Sequence, residues 1–342
     1  MATLDIAIGS CVRTLSKFST CNRCDEVCPV DAISLDSGFP KVDNIKCVEC
    51  GVCLSSCPTE AISLSNFSPL DLVFNIVETD TNILDCKVNL PCIASLSSEY
   101  LVSMAIFKNS DITCNLSHCS TCDIFSNTWK SIDSLISEAN LLLESFNRKE
   151  RIVLENLPDR KVGTDEVEKS RRKLFDISNL ENREKLDSSV FQEIRKKEIP
   201  DRRKLFLMAL QRVGESHHVL DSNDLTTLSQ KIVSDECTNC QICYRVCPSQ
   251  ALTTDYKNSY INFQPHLCLK CHLCHDVCTP NAIEIAPTFS IAKLLNSENE
   301  KLIEFNISKC YECDSYFTKF GSSNLCPRCQ AEEDGAMELW GI

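Results

Sequence analysis

The chain has 342 residues, 43% of them apolar, and a formal charge of −13; this is enough for two or three domains, and the acidic balance argues against non-specific nucleic-acid binding. Twenty-five cysteines are far more than a globular interior uses, and disulfide scaffolds of that density are usually short and secreted. The opening MATLDIAIGSCVRTL has neither a basic n-region nor an apolar h-region, and no apolar run approaches the roughly 18 residues of a membrane span. A reducing, cytoplasmic setting is therefore expected, with the cysteines on metal rather than in disulfides. The eight glycines form neither G-x-G-x-x-G nor a P-loop, which removes the nucleotide and flavin fingerprints.

Residues 1–66 hold a complete quartet, Cys47, Cys50, Cys53 and Cys57, spaced C-x2-C-x2-C-x3-C and followed by Pro58. An earlier quartet is altered: Cys21, Cys24 and Cys28-Pro29 occupy the last three positions, while Phe18 stands where the first thiol belongs. Cys11 is the spare thiol nearby. Four residues after each terminal cysteine comes an alanine, Ala32 and Ala61, followed by Ile33 and Ile62, so each quartet is expected to lead into a short strand.

Residues 67–147 read as a small α/β domain. DLVFNIV and NILDC look like strands, and the second half of NLPCIASLSSEYLVSMAIF is an apolar helix opened by serines. DITCNL alternates Ile112, Cys114 and Leu116 on one face, as a half-buried strand does. Phe125, Trp129, Ile132, Ile136, Ala139, Leu143 and Phe146 recur at helical spacing and predict a long helix with a core-facing stripe. Cys86, Cys92, Cys119 and Cys122 form two pairs at strand exits and are candidate ligands of a metal or cluster; Cys114 is assigned as a structural thiol. The competing reading is a set of buried core thiols, or a reactive dithiol at Cys119 and Cys122.

Residues 148–235 form a charged bridge, expected to be mostly helical; its 148–204 portion has 17 Lys/Arg against 13 Asp/Glu. SRRKLF (170–175) recurs as DRRKLF (201–206), each opening with a capping residue, Ser170 or Asp201, and Pro200 precedes the second. One reading has two similar helix starts docking on two similar modules. The other makes the arginines a basic contact for an acidic partner.

Residues 236–300 contain two further quartets, Cys237, Cys240, Cys243, Cys247 and Cys268, Cys271, Cys274, Cys278, with Ala251-Leu252 and Ala282-Ile283 in the same register. In the last, proline slips to Pro280 behind Thr279 while alanine keeps its place. His266, His272 and His275 flank this quartet, as surface residues or as groups that couple proton to electron movement. Residues 301–342 end in Cys310-x2-Cys313 and Cys326-x2-Cys329, a four-sulfur tetrahedral site preferring structural zinc, with iron as the alternative.

The two quartet-bearing segments resemble bacterial-type two-cluster 4Fe-4S ferredoxins, over about 66 residues at the start and about 55 near the end. The resemblance implies a crossed ligand scheme. Cys237, Cys240, Cys243 and Cys278 would serve one cluster, and Cys268, Cys271, Cys274 and Cys247 its neighbour. Cys47, Cys50, Cys53 and Cys28 would serve a third, and Cys11, Cys21, Cys24 and Cys57 a fourth. If Cys11 is not a ligand, the fourth is three-iron or absent. The 86–122 cysteines resemble, with different spacing, small α/β redox subunits that hold a 2Fe-2S cluster. The C-terminal pairs resemble zinc ribbons and, through C-P-x-C, rubredoxins.

The expected fold class is α+β: two ferredoxin-like di-cluster modules separated by a small α/β domain and a helical bridge, with a C-terminal zinc ribbon. The function expected is electron transfer by a polyferredoxin with four 4Fe-4S clusters and a possible fifth centre. It would relay single electrons to or from a partner dehydrogenase, hydrogenase or reductase, with no catalytic activity of its own. The alternative is an assembly or maturation factor for an iron–sulfur or molybdenum enzyme. A C-x3-C-x2-C run, which would signal radical chemistry, does not occur.

Overall fold

The computed structural model describes residues 4–36, 38–86, 88–158 and 199–340. The first segment runs β1 (Leu4–Ile6), α1 (Val12–Leu15), α2 (Arg23–Glu26), β2 (Ile33–Ser34), β3 (Lys41–Val42), α3 (Val52–Ser56) and β4 (Ile62–Leu64). β1 pairs antiparallel with β4, Leu4 opposite Leu64 and Ile6 opposite Ile62, and β2 pairs with β3. Each quartet does lead into a strand, because the branched residue after each alanine turns inward: Ile33 and Ile62 are both buried.

The middle of the chain contributes α4 (Pro69–Glu78), β5 (Ile83–Asp85), α5 (Ser98–Lys108), β6 (Ile112–Asn115), α6 (Phe125–Ser145) and β7 (Ile152–Glu155). The three strands form a parallel sheet in the order β5-β6-β7. DLVFNIV is thus helical, not a strand. The Ser68 hydroxyl accepts from the Asp71 N–H at 3.2 Å, Pro69 sits in the first turn, and Leu72, Val73 and Ile76 share one buried face. The stripe on α6 is core from Ile132 onward, whereas Trp129 lies at the surface. β7 falls beyond residue 147, so the sheet takes its third strand from the segment expected to be bridge.

The bridge continues with α7 (Asp201–Leu210), β8 (Val219–Asp221) and β9 (Lys231–Val233); the first RRK copy, 170–175 with Ser170, lies outside the described residues. Then come α8 (Ile242–Arg245), β10 (Leu252–Thr253), β11 (Tyr260–Phe263), α9 (Leu273–Asp276), β12 (Ile283–Ile285), β13 (Thr288–Ser290), α10 (Ile291–Leu295) and β14 (Glu300–Glu304). β9 pairs with β12 and β10 with β11, repeating the arrangement of the first segment, and β14 extends the second pair. β15 (Ile307–Lys309) and β16 (Tyr316–Thr318) form a hairpin before α11 (Pro327–Trp340). This mixture of helix and strand agrees with the expected α+β class. Among the described residues no helix is long and apolar enough to cross a membrane.

One continuous core joins the sheet layer to the bridge. Helix α5 is buried on all sides from Tyr100 to Ile106, between α4 and α6 on one hand and α7 on the other. α7 enters that core through Leu205, Phe206, Ala209 and Leu210, with the Phe206 ring 6.1 Å from Phe146. Burying Leu205 and Phe206 contributes about 1.5–3 kcal/mol each. The bridge helix is therefore a structural wedge rather than a solvated linker.

Candidate metal centres

Three of the four cysteine loops use the same backbone device. In each, two left-handed residues bracket the second cysteine: Glu49 and Gly51 (φ 58° and 73°), Asn239 and Gln241 (50° and 70°), Lys270 and His272 (49° and 63°). Non-glycine residues pay strain in that region, and such strain concentrates at functional sites. It curls the loop so that its thiols turn to one side and backbone N–H groups reach sulfur, as Val52 does to Cys50 and Leu273 to Cys271.

The alanine register has a physical cause that the sequence did not disclose. The residue before each alanine is left-handed: Asp31, Glu60, Gln250 and Asn281, with φ of 50°, 50°, 57° and 53°. The alanine N–H is thereby aimed back at the terminal thiol, at 3.2 Å for Ala32 to Cys28, 3.3 Å for Ala61 to Cys57 and 3.2 Å for Ala282 to Cys278. All four alanines are buried, where a longer side chain would overpack the site. The turn at Cys278 is made despite its slipped proline, with Asn281 N–H donating to Cys278 O at 2.9 Å.

The thiols gather in four sets. Burial, then the neighbouring Cys57, Cys21 and Cys11, push Cys24 up to about 12. Cys53 is raised by burial and then by Cys50, Cys24, Cys28 and Cys47. Cys243 is raised to about 12 by burial and then by Cys237, with Cys240 and Cys278 also adding. Cys271 reaches about 12 through burial, then Cys268, Cys274 and Cys247. Each terminal cysteine thus lies near thiols of the opposite loop. Thiols held protonated by burial and mutual repulsion are suited to ionise when iron supplies the positive charge.

Cys11 belongs to this geometry. The Cys21–Cys24 loop lacks the left-handed pair, and Phe18 is exposed. Instead Arg13 donates to the carbonyls of Cys21 at 2.8 Å and Gly38 at 2.9 Å, holding α1 against that loop with Cys11 at its N-terminus. Cys11, Cys21, Cys24 and Cys57 line a small pocket walled by Ile6, Pro58, Ala61 and Ile62. A second small pocket is lined by Cys237, Cys240, Cys243 and Cys278 with Ile261, Val277 and Ile283. Soft thiol donors on apolar walls, with N–H groups aimed at sulfur, fit iron–sulfur clusters.

Thiols of neighbouring loops adjoin within each segment. Cys24 adjoins Cys53 in the first segment, and Cys243 adjoins Cys274 in the later one. Between the segments, Val12, Leu273 and Val277 form one apolar cluster with Cys21 and Cys271 at its edge. Asp276 accepts from Thr20 N–H at 2.9 Å and Thr20 hydroxyl at 2.8 Å, and Arg23 donates to Lys270 O at 2.6 Å.

The twin arginines, which the sequence left either docking on the modules or facing an acidic partner, are both fully buried between the two segments. Arg202 donates to Ser55 O at 3.1 Å and Pro58 O at 3.0 Å, beside Cys57. Arg203 donates to His266 O (2.9 Å), Cys268 O (2.7 Å) and Thr227 O (2.9 Å). Both contact Glu99 on α5, Arg203 at 2.5 Å and Arg202 at 3.1 Å, the latter poorly angled for a hydrogen bond. A partner could not reach these guanidiniums. Glu99 carries no motif, so only the recurrence of RRK hinted at this joint.

Burial, then Lys231, depresses His272 to about 4 and His275 to about 3. Lys231 Nζ lies 2.7 Å from His275 Nε2. Burial and the Lys231 ammonium thus both disfavour the charged form of these rings. At the C-terminus, Cys310, Cys313, Cys326 and Cys329 bring their sulfurs within 4.8 Å of one another. Backbone N–H groups of Cys313, Cys326 and Glu312 help hold Cys310 down to about 6. The first pair lies between β15 and β16 and the second at the start of α11. Thr318 and Asn258 both receive Asn239 Nδ2 at 2.7 Å, tying this end to the Cys237 loop.

Residues 236–282 match the family described as a 4Fe-4S dicluster domain, and residues 18–67 match the LdpA Fe-S cluster-binding domain. The chain is an iron–sulfur protein. Each match covers one of the two quartet-bearing segments, and the second begins after Cys11. No curated protein and no solved structure matches the chain.

Proposed function

We propose that this protein is a polyferredoxin that passes single electrons along four 4Fe-4S clusters to or from a partner redox enzyme. The ligand sets are Cys28, Cys47, Cys50, Cys53; Cys11, Cys21, Cys24, Cys57; Cys247, Cys268, Cys271, Cys274; and Cys237, Cys240, Cys243, Cys278. Residues 1–66 and 236–300 are the two ferredoxin-like modules, and 301–342 is a zinc-ribbon-like end whose four thiolates suit zinc.

The observation that carries this reading is the direct docking of the two thiol-rich segments through Val12, Leu273 and Val277, with Cys21 and Cys271 on either side. Bound at these sets, such clusters supply one-electron redox chemistry. The chain's own part is to hold the thiols in register, exclude water with buried Leu, Val and Ile, and fix the distance between modules through Arg202, Arg203 and Glu99. Cys240 is exposed, which gives a partner access there.

Anaerobic reconstitution tests the proposal. The reconstituted chain should be reversibly reduced and should pass electrons to an added redox enzyme. Clusters that resist every donor, or that move intact into an apo-enzyme, would instead support the assembly-factor reading.

A further inference from the structure

We propose that Cys86, Cys92, Cys119 and Cys122 hold a fifth redox centre, a 2Fe-2S cluster, at the C-terminal edge of the parallel sheet and next to Cys50.

Cys86 directly follows β5, and Cys119 and Cys122 lie in and just after the turn that follows β6. Loops leaving adjacent parallel strands converge at that edge, where open α/β sheets place their ligands. Cys92 comes back to the same point from the loop before α5. Cys86 and Cys92 are buried and face each other closely enough that the Cys92 thiol is the largest influence on Cys86. Cys119 in turn feels Cys86 and Cys122, and Cys92 feels Cys50. The thiols thus run from the exposed Cys122 inward to a loop of the first module.

The loops are tied to each other by buried polar groups. Asp85, just before Cys86, accepts from Asn115 Nδ2 at 2.8 Å and lies 3.4 Å from His118 Nε2. Asn115 Oδ1 accepts from Ser117 N–H at 3.0 Å and Leu157 N–H at 2.9 Å, fixing the turn that carries Cys119. Asn89 pins the other loop, accepting from Asp85 N–H at 2.9 Å and donating to Ile83 O at 2.8 Å. Backbone N–H groups of Ile93 and Ala94 reach Cys86 and Cys92, the same N–H to sulfur pattern found at the quartets. Such outer partners orient sulfur ligands.

Among the described residues, three or more thiols close to within 4.8 Å of one another only at the C-terminal site, so these four, like the quartets, do not surround a single ion. A facing pair at Cys86/Cys92 and a C-x2-C pair at Cys119/Cys122 suit two metal atoms with two thiolates each. A cubane would instead spread one thiolate to each iron.

This inference rests on the quartets being clusters, and the test separates the two. The full chain is reconstituted anaerobically, then iron, acid-labile sulfide and electron paramagnetic resonance are measured. The double variant Cys119→Ser/Cys122→Ser, whose sites are at the surface and spare the core, should lose about two irons and two sulfides per chain. Its 4Fe-4S signals should persist. Cys86→Ser/Cys92→Ser should lose the same amount, and Cys114→Ser should lose none. Unchanged iron and sulfide in the Cys119/Cys122 variant, or zinc in place of iron there, overturns the fifth centre alone. Absence of 4Fe-4S signals in the unaltered chain overturns the quartet reading instead.

Discussion

Replacing Arg203 by Met should loosen the joint between the two cluster-bearing modules. The guanidinium has no exposed surface, contacts Glu99 Oε1 at 2.5 Å, and donates to three carbonyls at 2.7–2.9 Å. Met keeps much of the apolar stem but leaves Glu99 with Arg202 alone, through a contact of poor angle. Removing one partner of a buried ion pair costs about 3–5 kcal/mol, chiefly because the other charge stays buried. Against a total stability of about 5–15 kcal/mol, the variant should fold with a clearly lower denaturation midpoint. The double variant Glu99→Leu/Arg203→Met removes the stranded charge, and a double-mutant cycle should return a coupling of about 2 kcal/mol or more. The functional readout is magnetic: spin coupling between reduced clusters of different modules should weaken in Arg203→Met, while coupling within each module stays. Unchanged stability together with unchanged inter-module coupling would refute this account of the joint.

Substituting Cys11 by Ala should convert one N-terminal cluster to a three-iron form, losing about one iron per chain; an unaltered paramagnetic spectrum and iron content would remove Cys11 from the ligand set. Cys326→Ser should abolish zinc retention at the C-terminus and free the Asn239–Thr318 contact without lowering 4Fe-4S content, checked by metal analysis. Gly51→Ala should cost about 1–3 kcal/mol, because φ is 73° and the added Cβ would lie 2.9 Å from Ser95 Cβ; thermal denaturation reads this. Burial raises the Glu138 carboxyl above its usual range, against hydrogen bonds from Thr226. A raised folded value means that the protonated form stabilises the fold at low pH and that this contribution is lost as pH rises through the folded value. Glu138→Gln should therefore flatten the decline in stability above the ordinary carboxylate range, and a variant that declines as steeply as the original would contradict this.

The C-x2-C-x2-C-x3-C spacing alone picked out three complete quartets and an altered fourth, because ligand spacing is local and short loops allow few arrangements. It also located the strand after each quartet and the long helix over 125–145, where periodicity coincides with burial. The alanine register was visible as a pattern; its cause was not, since a left-handed φ at Asp31, Glu60, Gln250 and Asn281 is set by the turn and not by any residue-type signal. DLVFNIV was ambiguous because a short apolar run suits either period, and the Ser68-Pro69 cap decided for helix. Docking of Arg202 and Arg203 on the modules was legible only as one of two readings of the repeated RRK; the buried joint itself needed one helix to meet a first module 144–147 residues before it and a second 63–65 residues after it. Local chemistry thus came from the sequence, whereas the docking of the two modules and what holds it together came from tertiary packing. Contacts such as Thr20 with Asp276 span 256 residues, and nothing short-range encodes them.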